Sequence, residues 1–199
     1  MDIALVLATA PITLPIFCAI ALKMYFSQSG PIFFRAKRVG QNGVPFVALK
    51  FRTMMPCAQN NGVSGGDKQA RITPFAQRLR ECRLDEIPQI YNILRGDMSL
   101  VGPRAPDPRY VKMYPELYAK VLRCRPGLTG LATLHMHRFE DRILKLCSSA
   151  EETETTYCRR CIPRKARLDL IYQDRVEYAG FIWFDLSLLA RSIWAVMRK

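Results

Sequence analysis

"RLRECRLDEIPQIYNILRGDMSLVGPR", Arg78 to Arg104, sets two adjacent carboxylates, Asp85 and Glu86, among arginines in a strongly basic chain. Pro88 follows closely. Proline is tolerated in the first turn of a helix, where its missing N–H has no partner to lose, so a helix here starts close to Asp85. It would carry Ile87, Tyr91 and Leu94 on one stripe and stop at Gly96. Both acids then sit at a helix N-terminus, where the dipole and free N–H groups favour negative charge and bind phosphate. Neighbouring carboxylates repel unless a cation lies between them. A hard ion such as Mg²⁺, held by one or two carboxylates and substrate phosphate, would relieve that repulsion. Arg78, Arg80, Arg83 and Arg104 present planar forks suited to phosphate oxygens, and Lys50 in "KFRTM" adds a further cation. A capped surface helix with ordinary ion pairs is the competing reading, and the residues alone do not choose.

The whole chain has 199 residues, 49% of them apolar, which suits one domain with a real core and argues against disorder. Lys and Arg number 30 against 17 Asp and Glu, a net charge of +13. That surplus points to a polyanion: nucleic acid, an anionic membrane surface or a phosphorylated substrate. Seven cysteines in no regular framework indicate a reducing compartment. His135, His137, Cys158 and Cys161 form a conceivable zinc set, but a single C-x-x-C reads more simply as unpaired thiols.

Ile3 to Leu22, "IALVLATAPITLPIFCAIAL", carries no charge and is apolar all round, which a core helix ordinarily is not. Asp2 stands where a signal peptide would be positive. Pro11 and Pro15 predict a kink or break. A kinked span and a re-entrant helix-break-helix both remain open. Lys23, Arg35, Lys37, Arg38, Lys50 and Arg52 all follow the segment, which places the rest of the chain on the cytoplasmic side.

"PIFFRAKRVGQNGVPFVALKFRTM" reads as a β-hairpin turning at Asn42-Gly43. Residues 60–69 read as a Gly/Asn/Ser loop, and Thr73-Pro74 as the cap of a helix to about Cys82. "SLVGPRAPDP" reads as a strand end and a loop, 108–124 as helical, and "RPGLTG" (125–130) as a turn. The C-terminus has apolar residues at 182, 186, 189, 193 and 197, with Trp183 and Trp194 on one face. An interfacial membrane helix and a helix packed on the core fit that pattern equally.

These motifs resemble the bacterial sugar transferases, the monotopic phosphoglycosyl transferases that act on polyprenol phosphate. "GPIFFRAKRVGQNGVPFVALKFRTM" is similar to the family's hairpin, "LRECRLDEIPQIYNILRGDMSLVGPR" to its central block, and "RPGLTG" to its later turn. The resemblance implies an α/β (α+β) fold with a re-entrant membrane helix at 1–23, both ends cytoplasmic, and a cytoplasmic catalytic domain at 24–199 bearing interfacial helices. It implies transfer of a sugar-1-phosphate from a UDP-sugar to polyprenol phosphate, releasing UMP, on inner-leaflet lipids of the bacterial inner membrane, with Mg²⁺ as cofactor. Asp85 takes the position of the nucleophile and Glu86 that of its partner, both candidate metal ligands. Lys50, Arg80 and Arg104 take phosphate-contacting positions, and Asp169 in "ARLDLIY" an acidic position near the site. Nucleic acid is not expected as a partner; a homo-oligomer is left open.

The chain departs from the family pattern in places. Ala10-Pro11 replaces Ser-Pro at the membrane break, "GPRA" replaces G-P-R-P, and "LAT" (131–133) replaces W-A-Q. The segment between Tyr172 and Asp185 is longer than usual. Two alternatives therefore stand beside the enzyme: a non-catalytic membrane scaffold of the same fold, and a basic nucleic-acid-binding module, which leaves the apolar N-terminus unexplained.

Overall fold

The computed structural model describes residues 1–55, 71–179 and 181–198. The loop expected at 60–69 lies outside the described residues. The architecture is α+β: mostly helices, with two small sheets of two strands each among the described residues.

Helix α1 (Asp2–Ser27) is followed by strands β1 (Phe33–Val39) and β2 (Pro45–Phe51). The strands pair antiparallel, with Phe33 opposite Phe51 and Val39 opposite Pro45. The chain reverses at Asn42 (φ 55°) and Gly43 (φ 81°), as the Asn-Gly pair predicts. Directly paired residues point to the same face, so Arg38, Ala36, Ala48 and Lys50 share one side of the hairpin. Phe51 anchors the strand end, stacking on Phe33 and Phe17.

Helix α2 (Pro74–Glu81) starts as expected: the Thr73 hydroxyl accepts from the Ala76 N–H at 3.2 Å. The helix predicted at Asp85 has two parts. Leu84–Gln89 form a 3-10 turn around Pro88, and α3 (Ile90–Arg95) follows, stopped by Gly96 at φ 84°. Both acids lie in the first turn, but the turn is tighter than α, and it starts from Arg83 in the left-handed region (φ 58°). The change of winding shifts the phase. The buried side is Glu86, Gln89, Asn92 and Ile93, while Tyr91 and Leu94 of the predicted stripe face outward.

The predicted turn at 125–130 is a strand. β4 (Gly127–Thr129) runs parallel to β3 (Ser99–Val101). Ser99, Gly102 and Gly127 N–H groups donate to Pro126, Thr129 and Pro103 carbonyls at 2.8, 2.9 and 2.8 Å. The two backbones approach so closely that a Cβ at Gly102 would lie 2.5 Å from the Arg125 carbonyl oxygen, and one at Gly127 would overlap Gly102 itself. The two glycine motifs are thus two halves of one contact.

Residues 108–124 form two helices, α4 (Pro108–Met113) and α5 (Pro115–Val121). Pro115 forces Tyr114 out of the helical region (φ −132°, ψ 61°). Then come α6 (Leu131–Lys145), α7 (Ala150–Thr156), a π turn at Tyr157–Cys161, α8 (Ile162–Ala179) and α9 (Phe181–Met197). Val39, Tyr110, Tyr118, Val121, Leu122, Ile162 and Ala166 form one core cluster, and Val101, Tyr172 and Leu188 another.

α9 buries Leu188 completely and sets two polar side chains beside it against the fold. Asp185 accepts from the Tyr172 hydroxyl at 2.9 Å, and Ser192 meets the Thr129 hydroxyl at 2.8 Å. Ile182, Ile193 and Met197 of the predicted stripe, with Trp183 and Trp194, are exposed.

α1 runs through Pro11 and Pro15 as one 26-residue helix, so the expected break is absent. Each proline deprives one carbonyl, of Leu7 and of Pro11, of its helical donor. Both rings lie on the exposed side, where no neighbour must be displaced. Both ends of α1 rest on the same domain. Val6 packs with Ile93 and Met98, and Asp2 accepts from the Ser99 hydroxyl at 2.8 Å. Ile20 and Met24 pack with Phe51 and Leu79. Ile12 and Leu14, between them, are 68% and 62% exposed.

Asn92 ties β2 to α3. Its side-chain oxygen accepts from the Leu49 N–H at 3.1 Å and its amide donates to the Val47 carbonyl at 2.8 Å. Asn92→Ala would take the partner from both half-buried strand groups, so stability should fall by about 1–2 kcal/mol, read as a lower denaturation midpoint.

Candidate active site

Three separate segments converge on Glu86. Lys50 Nζ, from β2, lies 2.6 Å from Glu86 Oε1, and Arg104 Nη2, just past β3, lies 2.8 Å from the same oxygen. Arg83 Nη1 reaches Oε2 at 3.6 Å. Arg104 is aimed by the parallel strand pair, because its backbone bridges to Gly127 of β4. Lys50 is aimed by the alternation of β2, whose neighbouring Phe51 is locked in the core.

The two acids end in opposite conditions. Glu86 is buried, which by itself would raise its pKa, but Arg104, Lys50 and Arg83 outweigh burial and hold it well below the usual carboxylate range. In return, the Glu86 charge raises the Arg104 guanidinium pKa despite burial. Asp85 makes no hydrogen bond or ion pair among the described residues. Its pKa is raised, first by burial and then by the Glu86 charge; Lys50, Arg80 and Arg83 oppose the shift. One carboxylate is therefore fixed and ionised, and the next is uncommitted and more basic.

Lys50, Arg83, Arg104 and the dyad are thus brought together, with Arg80 in electrostatic reach of Asp85. Arg78 is exposed. Asp169 does not contact the dyad. It lies buried on α8, within electrostatic reach of Arg104 and Lys165, and burial pushes its pKa up to about 8. The conceivable zinc set is not assembled: among the described residues no three His, Cys, Asp or Glu side chains could hold a metal ion.

Sequence reasoning missed Arg38, Glu140, Tyr157 and Lys165. Arg38 pairs with Asp107 at 3.4 Å; burial and then the Arg104 charge lower its pKa. Lys165 Nζ forms an ion pair with Glu140 and lies 3.3 Å from the Tyr157 hydroxyl. One signal was available: Lys165, Asp169 and Tyr172 recur at i, i+4 and i+7, a polar line on the buried side of α8.

The description "bacterial sugar transferase" belongs to the family model that this chain matches over residues 1–199. The chain belongs to that family. It is 35% identical over 196 residues to a UDP-glucose:undecaprenyl-phosphate glucose-1-phosphate transferase of Escherichia coli (strain K12), covering 96% of this chain and 38% of that protein. A protein with the same description from Caulobacter vibrioides is 43% identical over 123 residues, 59% of this chain and 46% of the relative. A UDP-N-acetylgalactosamine-undecaprenyl-phosphate N-acetylgalactosaminephosphotransferase of Aeromonas hydrophila is 33% identical over 138 residues, 66% of this chain and 32% of the relative. The chain spans less than half the length of each of these relatives.

The contrast between the two adjacent acids is measurable. Glu86→Ala leaves the half-buried Lys50 and Arg104 without their counter-charge, where water still screens part of the loss, and should cost about 1–3 kcal/mol in chemical denaturation. Asp85→Asn breaks no ion pair, so its stability should match or exceed the parent's.

Proposed function

We propose that this chain is a phosphoglycosyl transferase that moves a sugar-1-phosphate from a UDP-sugar to polyprenol phosphate and releases UMP, through a covalent phospho-sugar on Asp85. The observation that carries this is the unequal treatment of neighbouring acids. Glu86 holds three cations, while Asp85 has no ion pair among the described residues and has raised basicity beside Lys50, Arg80 and Arg83. A structural capping pair gives no reason for that asymmetry; a carboxylate nucleophile facing a diphosphate does.

In the first step, an Asp85 carboxylate oxygen forms a bond to the phosphorus that carries the sugar. The bond from that phosphorus to the bridging oxygen breaks, and UMP leaves with the electron pair. In the second, an oxygen of polyprenol phosphate bonds to the same phosphorus and the Asp85–phosphorus bond breaks, restoring the carboxylate. The nearby cations favour the ionised, attacking form of Asp85 and neutralise the diphosphate. Glu86 holds Lys50 and Arg104 in place for that role.

The donor set fits Mg²⁺. Both short bonds fall on Glu86 Oε1, so Oε2, with only the 3.6 Å Arg83 pair, and Asp85 remain as hard oxygen ligands. Remaining ligands would come from phosphate and water, as Mg²⁺ ordinarily takes them. Bound there, the ion would supply charge neutralisation of the diphosphate.

We place the protein on the cytoplasmic face of the inner membrane, with α1 dipping into one leaflet. Two facts support this. Both ends of α1 rest on one domain while its apolar middle is open, and a helix so held does not join opposite sides of a bilayer. α3 and α9 likewise turn Tyr91, Leu94 and both tryptophans outward, which water would disfavour and an interface would not.

Asp85→Asn should abolish UMP release from UDP-sugar plus polyprenol phosphate while leaving the protein folded; full turnover by the variant would sink the nucleophile assignment. A cysteine placed at position 2 in otherwise cysteine-free full-length chain should react with an impermeant thiol reagent only after the inner membrane is opened. Labelling of intact spheroplasts from outside would overturn the topology.

A further inference from the structure

The charged cluster continues past Arg104. Glu140 on α6, Tyr157 on the π turn, and Lys165 and Asp169 on α8 lie within electrostatic reach of its guanidinium, whose other side bonds Glu86 at 2.8 Å. The group is therefore contiguous with the dyad, not a separate site. Burying an acid–base pair is costly and rarely improves stability over apolar packing. Arg104 does not require it, because Glu86 already supplies its counter-charge.

Asp169 makes the case sharper. It is 5% exposed, and its Oδ1 is buried with no hydrogen-bond partner among the described residues. Such an atom is costly unless something else bonds to it. The wall offers carboxylate oxygens that accept or, when protonated, donate, together with an ammonium and a phenol. That alternation suits a ligand dense in hydroxyls. A flat base would need an open aromatic face. The Tyr157 ring is already packed against Tyr110, centroids 5.0 Å apart, with Lys165 Nζ 4.9 Å from its centre.

We propose that Glu140, Tyr157, Lys165 and Asp169 form the wall that reads the sugar hydroxyls of the nucleotide donor and so sets donor choice. The proposal rests on the transferase reading above: Arg104 stands between the phosphates and this wall, and the sugar is the group attached to the transferred phosphate. The four residues come from three elements, and the π turn between α7 and α8 is what lets Tyr157 and Lys165 meet.

The test uses full-length protein in detergent micelles with Mg²⁺. In the Asp85→Asn background, Glu140→Gln and Tyr157→Phe are titrated with UDP, UDP-glucose and UDP-galactose by calorimetry. UDP binding should stay within about twofold, while the advantage of UDP-sugar over UDP falls about tenfold. Retained UDP binding also shows that the variants are folded. With Asp85 intact, the ratio of kcat/KM for the two UDP-sugars should shift about tenfold. If UDP and UDP-sugars weaken in parallel, or the donor ratio stays within about twofold, the cluster merely props Arg104 and the proposal is overturned. If the parent chain binds no uridine nucleotide and releases no UMP from any donor, the transferase reading fails and this proposal falls with it.

Discussion

Glu86 Oε1, held at 2.6 Å by Lys50 and 2.8 Å by Arg104, is the contact on which the rest of the site depends. A buried carboxylate is tolerable only with close counter-charges, and each counter-charge here comes from a different part of the chain. The hairpin must therefore dock on the 3-10 turn, and the strand carrying Arg104 must end at the same place. β4 secures that strand end through backbone bonds that only glycine spacing allows. A shift of one residue in β2 would turn Lys50 to the opposite face and dissolve the arrangement.

The same contact explains how two adjacent acids acquire different characters. Their covalent chemistry is nearly equal, so the difference is imposed from outside. Glu86 bonds the cations and is pulled far down; Asp85 feels burial and the charge of its neighbour more strongly than the nearby cations and is pushed up. Both acids sit in the same first turn, and the ion pairs alone make them unequal.

The amphipathic elements follow a second shared rule. α3 and α9 each bury an apolar residue, Ile93 and Leu188, and set polar side chains beside it that meet polar groups of the fold: the β2 edge for Asn92, Tyr172 for Asp185, Thr129 for Ser192. Tyr91, Leu94, Ile182, Ile193, Met197 and both tryptophans are left outside, as is the middle of α1. The outward apolar residues and the deep charge cluster are what the proposed transfer between a lipid acceptor and a soluble, highly polar donor would require.

By itself, the sequence determined the local elements whose cause lies within a few residues. Asn42-Gly43 turned the hairpin, Thr73-Pro74 capped α2, Gly96 stopped α3, and Pro88 put both acids in a first turn. Its motifs also reached the family and the candidate dyad. What it did not show was which acid is paired, because Lys50 and Arg104 meet Glu86 from 36 and 18 residues away. Nor did it show that "RPGLTG" is a strand, since a parallel partner 28 residues earlier supplies its bonds. The stripes of α3 and α9 were visible, but periodicity marks a face without saying which way it points. That was decided by the polar groups and the apolar clusters waiting on the other side, which exist only once the chain has folded.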